Sequence, residues 1–180
     1  MNKKIVNKIQ AGIIAFAAIG LTYSCSDTWN EHYEDNALAS GDTYLFQKMS
    51  EDSNLSDFCE VLKATGYDKI LGENQIYTVF APVNGSFDKA SLISDINAGK
   101  KSSVIKRFVN NHISRYNYSA TETEKKLTLL NTKNVVMTKS DVDGVEINDI
   151  NILCKNGVLH VVNSQLPFRS NIFEVMEVDS

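Results

Sequence analysis

The sequence contains little proline and glycine, 2 and 9 of its 180 residues. With 43% hydrophobic and 22% charged residues, this scarcity excludes collagen-like, disordered and coiled-coil compositions, and one globular domain is the default expectation. An excess of basic residues is also missing, because 18 Lys and Arg stand against 22 Asp and Glu. The net charge of -4 gives no general attraction to nucleic acid, so DNA and RNA binding are not expected.

The apolar run near the N-terminus is too short for a permanent membrane span. Residues 11–23 are apolar apart from Thr22, and as a helix they would extend about 20 Å. The hydrocarbon core of a bilayer is ~30 Å thick. The run follows Lys3, Lys4 and Lys8, and no acid precedes Asp27. This layout predicts a secretory signal sequence.

The apolar run ends at a cysteine. Residues 22–25, TYSC, resemble the lipobox of bacterial lipoproteins, in which a small residue precedes a cysteine that is acylated and becomes the mature N-terminus. We therefore expect residues 1–24 to be a lipoprotein signal peptide and Cys25 to be the site of lipid attachment. Several acyl chains on one residue anchor a protein durably to a membrane. The alternative is that Cys25 is a free thiol just past an ordinary cleavage site.

Residues 25–42 are predicted to be the lipidated cysteine and an acidic tether. Removal of residues 1–24 takes away three lysines and no acid, which leaves 15 basic and 22 acidic residues and a net charge of -7. A chain of this charge is not attracted to anionic lipid, so the membrane partner is expected to be reached through the lipid anchor. Four acids follow the cysteine closely: Asp27, Glu31, Glu34 and Asp35.

Acids in this position resemble the export signals that send some bacterial lipoproteins to the outer leaflet of the outer membrane. The resemblance implies a protein that is exported, lipid-anchored to the outer membrane of a Gram-negative bacterium and directed toward the cell exterior. Residues 43–180 are expected to form a single folded domain.

The first half of this domain shows helical periodicity. Apolar residues from Leu55 to Leu62 recur at i, i+3, i+4 and i+7, with Asn54 as a candidate cap and Gly66 as the stop. A strand over 77–81 ends at Pro82, and Asn84 is predicted to cap a helical turn through Phe87. The spacing over 104–113 predicts another helix, with His112 near its end.

The second half is rich in short strand-like segments. They cover residues 127–130, 134–138, 144–147, 152–155 and 158–162, and 173–178 is a candidate edge strand. Asn156 and Gly157 predict a two-residue type I′ turn that would place Cys154 opposite Leu159. Helices that come early and strands that come late predict an α+β fold with a mainly antiparallel sheet.

Two segments carry a family resemblance. Residues 77–87, YTVFAPVNGSF, resemble the first motif of fasciclin (FAS1) domains, and residues 156–163, NGVLHVVN, resemble the second. The helix over 104–113 is similar to the middle segment of the family, so the likeness extends over 43–177. It implies a wedge-shaped β-sandwich with several short helices packed at one side. It also implies a single-domain surface lipoprotein that mediates adhesion or partner binding, and not catalysis.

The candidate motif residues are Asn84, His112, Asn156, Gly157 and His160. The histidines lack the close spacing of zinc sites, and we expect His112 and His160 to be buried with hydrogen-bonded rings. No phosphate loop, nucleophile elbow or HExxH segment is present, so no catalytic residue, metal or cofactor is predicted. Cys59 and Cys154 are either a disulfide, which an exported compartment permits, or two buried thiols.

Two functions agree with the sequence. The first is a non-enzymatic, membrane-anchored adhesion or interaction module at the bacterial cell surface, with an unknown surface protein or glycan as its partner. The alternative is an accessory glycan- or transporter-binding lipoprotein of an outer-membrane nutrient-uptake system. A hydrolase is kept as a third class, since pairs of carboxylates occur in many glycosidases. The sequence predicts neither the binding face nor the oligomeric state.

Overall fold

The computed structural model describes residues 41–170, which contain five α-helices and seven β-strands. The helices are α1 (Leu45–Ser50), α2 (Ser56–Thr65), α3 (Tyr67–Ile70), α4 (Lys89–Asp95) and α5 (Lys101–Arg107). The strands are β1 (Tyr77–Pro82), β2 (Ile113–Arg115), β3 (Lys125–Thr128), β4 (Asn134–Met137), β5 (Asp141–Val142), β6 (Val145–Cys154) and β7 (Gly157–Val162). Within this range no helix has the length and apolar character needed to cross a bilayer.

The strands follow the order β2-β1-β7-β6-β5-β4-β3. Strands β1 and β7 run parallel, and all the other paired strands described are antiparallel. The long strand β6 pairs with β7 and also with β5, so it joins the two halves of the sheet. The predicted α+β class with a mainly antiparallel sheet is confirmed.

Strands β1 and β7 are buried along their whole length, and their side chains alternate between two hydrophobic clusters. Val79 and Leu159 pack with the helices, whereas Phe80 and Val162 pack with residues of β3, β4, β5 and β6. Successive side chains of a strand point to opposite faces, so these two strands form a middle layer. The predicted packing of helices at one side of a β-sandwich is therefore confirmed.

Helix α2 has the predicted end but not the predicted start. It ends at Gly66, whose φ of 86° lies in the left-handed region. At its start, Asn54 is not the cap, because residues Ser53–Leu55 form a 3₁₀ turn. The Asp52 side chain accepts a hydrogen bond from the Asn54 N–H at 2.8 Å.

The predicted helix over 104–113 is wrong at its C-terminal end. Helix α5 ends at Arg107, a 3₁₀ turn follows at Val109–Asn111, and β2 begins at Ile113. Antiparallel pairing with β1, which places Ile113 opposite Val79, draws this segment into the sheet. Residues 84–87 are also not helical.

The predicted type I′ turn at Asn156 and Gly157 is wrong. Cys154 pairs with Gly157, so the loop consists of Lys155 and Asn156, neither of which has a positive φ. Segments 144–147 and 152–155 belong largely to the one strand β6, which contains two register shifts.

Type I′ geometry occurs in the next hairpin toward the N-terminus. Asp143 has φ 54° and Gly144 has φ 83°, and the flanking residues Val142 and Val145 pair with each other. The candidate strand over 173–178 and the predicted lipid site Cys25 lie outside the described residues.

Candidate interaction surface

Asn84 caps a helix, although not the one that follows it in the chain. Its Oδ1 accepts a hydrogen bond from the backbone N–H of Asp57, in the first turn of α2, at 2.9 Å. Its Nδ2 donates to the carbonyl of Ser53 at 2.8 Å and to Oγ of Ser56 at 2.9 Å. Helix α4 is instead capped by Asp88, which accepts from the N–H of Ser91. The predicted cap thus acts on α2.

Asn156 is buried and fixes three segments together. Its Oδ1 accepts from the N–H of Leu45, the first residue of α1, at 2.8 Å. Its Nδ2 donates to the carbonyls of Leu71 at 2.9 Å and Glu73 at 2.8 Å. All these contacts are to backbone groups of the same domain, so the structure gives Asn156 an architectural position.

His112 is fully buried, and both its ring nitrogens are hydrogen-bonded. Nδ1 lies 2.8 Å from the carbonyl oxygen of Phe108, and Nε2 accepts from the N–H of Leu166 at 2.9 Å. These partners fix the neutral tautomer with the proton on Nδ1. Burial lowers the pKa of His112 to about 4. The ring is therefore neutral near pH 7, with no nitrogen left for a metal ion or a substrate.

His160 has the same character on strand β7. Its Nε2 donates to the carbonyl of Tyr118 at 2.9 Å, and its Nδ1 accepts from the N–H of Asn151 at 3.3 Å. The ring stacks on Phe80 with centroids 5.4 Å apart, and burial lowers its pKa. Unlike His112, this histidine bonds to the loop that follows β2.

That loop, residues 116–120, is held by side chains from three strands. The buried Thr78 hydroxyl of β1 donates to the carbonyl of Tyr116 at 2.9 Å and accepts from the N–H of Tyr118 at 2.8 Å. From β6, Asn151 accepts from the N–H of Ala120 at 2.7 Å and donates to its carbonyl at 3.0 Å. His160 adds the third attachment from β7.

Sequence reasoning missed Thr78 and Asn151. Thr78 is a hydroxyl residue in an otherwise apolar strand, which is a weak signal. Asn151 has φ 56°, a left-handed conformation that asparagine tolerates better than most residues, inside a stretch that otherwise has strand-like sequence. Neither feature identifies a role until the fold brings the loop beside them.

The loop presents a tyrosine to solvent. Tyr116 is 70% exposed and has φ 72°, which is unfavourable for a bulky residue, and its ring packs edge-on against Tyr118 at 6.4 Å. Ile76, 51% exposed, precedes the Tyr77–Arg115 pair and so lies at the same end of the β1–β2 pair. We call Ile76, Arg115 and Tyr116 the Tyr116 surface.

Both cysteines within the described residues are buried. Cys59 and Cys154 are free thiols, and burial raises the pKa of both, that of Cys154 to about 11. A thiol nucleophile acts as the thiolate, so neither is suited to that chemistry. Within residues 41–170, no three His, Cys, Asp or Glu side chains come together as a group able to hold a metal ion.

Comparison with known proteins agrees with this architecture. A search against the structures of other proteins finds the FAS1 domain pair of the insect cell adhesion molecule fasciclin I, with 16% sequence identity and a TM-score of 0.52. The match covers 70% of this chain and 51% of the insect chain, so this protein spans about half of that relative's length. No curated protein matches. The sequence model of the Fasciclin domain matches residues 53–167. The chain therefore belongs to the fasciclin (FAS1) domain family, whose domains are generally adhesion or interaction modules.

Proposed function

We propose that this protein is a non-enzymatic interaction module, anchored through acylated Cys25 to the outer membrane of a Gram-negative bacterium and facing the cell exterior. The observation that carries the proposal is the Tyr116 surface. Three polar side chains, those of Thr78, Asn151 and His160, hold the loop that exposes this tyrosine, and those of Thr78 and His160 are buried.

A fixed aromatic side chain is well suited to recognition. Tyr and Arg are enriched among the residues that dominate binding energy, and a preorganised loop reduces the entropy lost on association. Arg115 and Tyr116 are adjacent and exposed. The ring nitrogens of His112 and His160 are already hydrogen-bonded within the protein, and the raised pKa keeps the Cys154 thiol protonated near pH 7. Both features support a function without catalysis.

The anchor and its orientation are tested on intact cells. Labelled palmitate is expected to enter the wild-type protein and not Cys25→Ala, and equal labelling of both would contradict lipidation at this site. External protease is expected to digest the wild-type protein on intact cells. Digestion only after the outer membrane has been opened would contradict outward display.

The recognition surface is tested by capture from solubilised outer membrane with the acylated full-length protein. A specific partner is expected to be retained by the wild type and reduced at least tenfold by Tyr116→Ala. Ile70→Ala is the matched control, because Ile70 is another exposed large apolar residue, outside the Tyr116 surface. Equal capture by all three proteins would refute the assignment of Tyr116.

A further inference from the structure

A concave feature lies between the β4–β5 connection and strand β6. It is an open groove of about 570 Å³, a size within the range of small-ligand sites. Its lining includes Glu122, Lys139, Ser140, Asp141 and Asn148, with Ile147 and Ile150 beside them. The groove is thus polar with an apolar part.

Two irregularities in β6 create the apolar part. In a regular strand, residues three positions apart point to opposite faces, so Ile147 and Ile150 would not line the same groove. The pairing of β6 with β7 shifts register between Ile147 and Asp149 and again between Asp149 and Ile152. Bulges of this kind redirect side chains and are common beside binding sites. Here both isoleucines line the groove and also pack in the hydrophobic cluster that contains Phe80 and Val162.

The polar wall is ordered by its own hydrogen bonds. Thr138 donates to Oδ2 of Asp141 at 2.8 Å, and this bond is the main reason that the pKa of Asp141 is lowered. Lys139 pairs with Glu122 at 2.6 Å. Asn148 is exposed, and its side-chain amide makes no hydrogen bond to any residue between 41 and 170. With respect to these residues, the Asn148 amide therefore keeps its donor and its acceptor for a ligand.

The charges and shape of the lining select a class of ligand. Two carboxylates, those of Glu122 and Asp141, line the groove together with one ammonium group, that of Lys139, so an anionic ligand is disfavoured. An apolar peptide side chain would leave the Asn148 amide without a partner and would remove water from the charges of Glu122, Lys139 and Asp141. A sugar ring offers hydroxyl groups at its edge and C–H groups on its face, which match the polar wall and the two isoleucines. We propose that this groove binds a neutral saccharide.

This inference rests on the proposed function, since it names the partner class of a non-catalytic binding module. The test is native affinity electrophoresis of the full-length protein in gels that contain dextran, mannan, xylan or amylopectin. At least one of these neutral polysaccharides is expected to retard the wild-type protein. Asn148→Trp, which fills the groove from an exposed position, is expected to weaken binding at least tenfold.

Gln165→Trp is the matched control, because Gln165 lines a smaller groove of about 250 Å³ beside α4 and α5. It is expected to be retarded like the wild type. Asn148→Ala, which removes the free amide with little risk to folding, is expected to weaken binding several-fold. Thermal unfolding of each variant confirms that it is folded.

The inference is overturned if none of the four polysaccharides retards the wild type, or if Asn148→Trp is retarded equally. Loss of binding in Gln165→Trp alone would also overturn it, because the site would then be the other groove. If partner capture depends on Tyr116 but no polysaccharide binds, the saccharide inference is refuted and the proposed function is not. If polysaccharide binds through Asn148 but the protein is not displayed outward, the proposed location is refuted and the saccharide inference is not.

Discussion

Gly157 and Tyr77 face each other in the parallel pair of strands so closely that a Cβ built on Gly157 would lie 1.8 Å from the carbonyl oxygen of Tyr77. Backbone occupies the space that any side chain would need. We therefore expect Gly157→Ala to separate β1 from β7 locally and to lower the free energy of unfolding by about 3 kcal/mol. Urea denaturation monitored by circular dichroism measures this change.

Gly144→Ala is the control for this prediction. Gly144 also has a positive φ, 83°, but no atom lies within 4 Å of a Cβ built there. The substitution is expected to cost only about 1 kcal/mol, the strain of a left-handed alanine. Equal costs at the two positions would show that backbone conformation, and not the approach of Tyr77, determines the need for glycine at 157.

The cap from Asn84 to α2 leads to a local prediction. Asn84→Ala removes the acceptor for the Asp57 N–H and is expected to destabilise the protein by about 1 kcal/mol. Amide hydrogen exchange at Asp57 is expected to accelerate, while exchange at Ser91, whose N–H is bonded to Asp88, stays the same. Faster exchange at Ser91 alone would show that Asn84 supports α4 and not α2.

His112 makes stability depend on pH. The folded protein binds a proton on this ring only near pH 4, whereas the ordinary pKa is 6.5. Between these values the unfolded chain binds more protons, so the stabilising contribution is complete above pH 6.5 and is lost as the pH falls toward 4. The expected loss is on the order of 3 kcal/mol. The lowered pKa of His160 acts in the same direction.

Urea denaturation between pH 7 and pH 4 checks this prediction. His112→Gln is expected to be less stable at pH 7 and to show a smaller decrease toward pH 4, because one titrating group has been removed. The carboxyls of Asp57 and Asp141, whose pKa values are lowered from 3.8, lose their contribution only at lower pH. A wild-type stability that stays constant from pH 7 to pH 4 would contradict the buried neutral ring.

Sequence patterns predicted those parts of the fold that depend on local chemistry. The helical period from Leu55 to Leu62, the stop at Gly66 and the strand over 77–81 all follow from side-chain spacing and backbone preference, and the structure contains them. The sequence patterns failed where pairing with a residue distant in the chain determines the local secondary structure. The apolar period that continues through Ile113 is equally compatible with a helix, and pairing with Val79 makes it a strand.

The same limit applies to the candidate site. Asn156 and Gly157 match the composition of a type I′ turn, yet contacts with Leu45 and Tyr77 determine their positions. The Tyr116 surface was not predicted, because its loop depends on Thr78 and His160, which are 38 and 44 positions away in the chain. Such contacts appear only when the strands are assembled.

Thiol titration separates the fold from the predicted modification. Cys59 and Cys154 are buried free thiols with raised pKa values, so a disulfide-exchange reagent at pH 8 is expected to react with neither in the folded protein. Two thiols are expected to react in denaturant if Cys25 is acylated, and three in an unprocessed full-length chain. Finding neither Cys59 nor Cys154 reactive in unreduced, denatured protein would establish a disulfide between them instead.

Thr78 lies beneath the Tyr116 surface and is fully buried, so it has no access to a partner. Thr78→Val keeps the shape of the side chain but leaves the carbonyl of Tyr116 and the N–H of Tyr118 without this hydrogen bond. We expect a loss of about 1–3 kcal/mol in stability and weaker partner capture, because the loop is no longer fixed. Thr65→Val is the control, since that buried hydroxyl bonds only within α2. If Thr78→Val captures partner as well as the wild type does, the loop does not need its attachment to β1 for recognition.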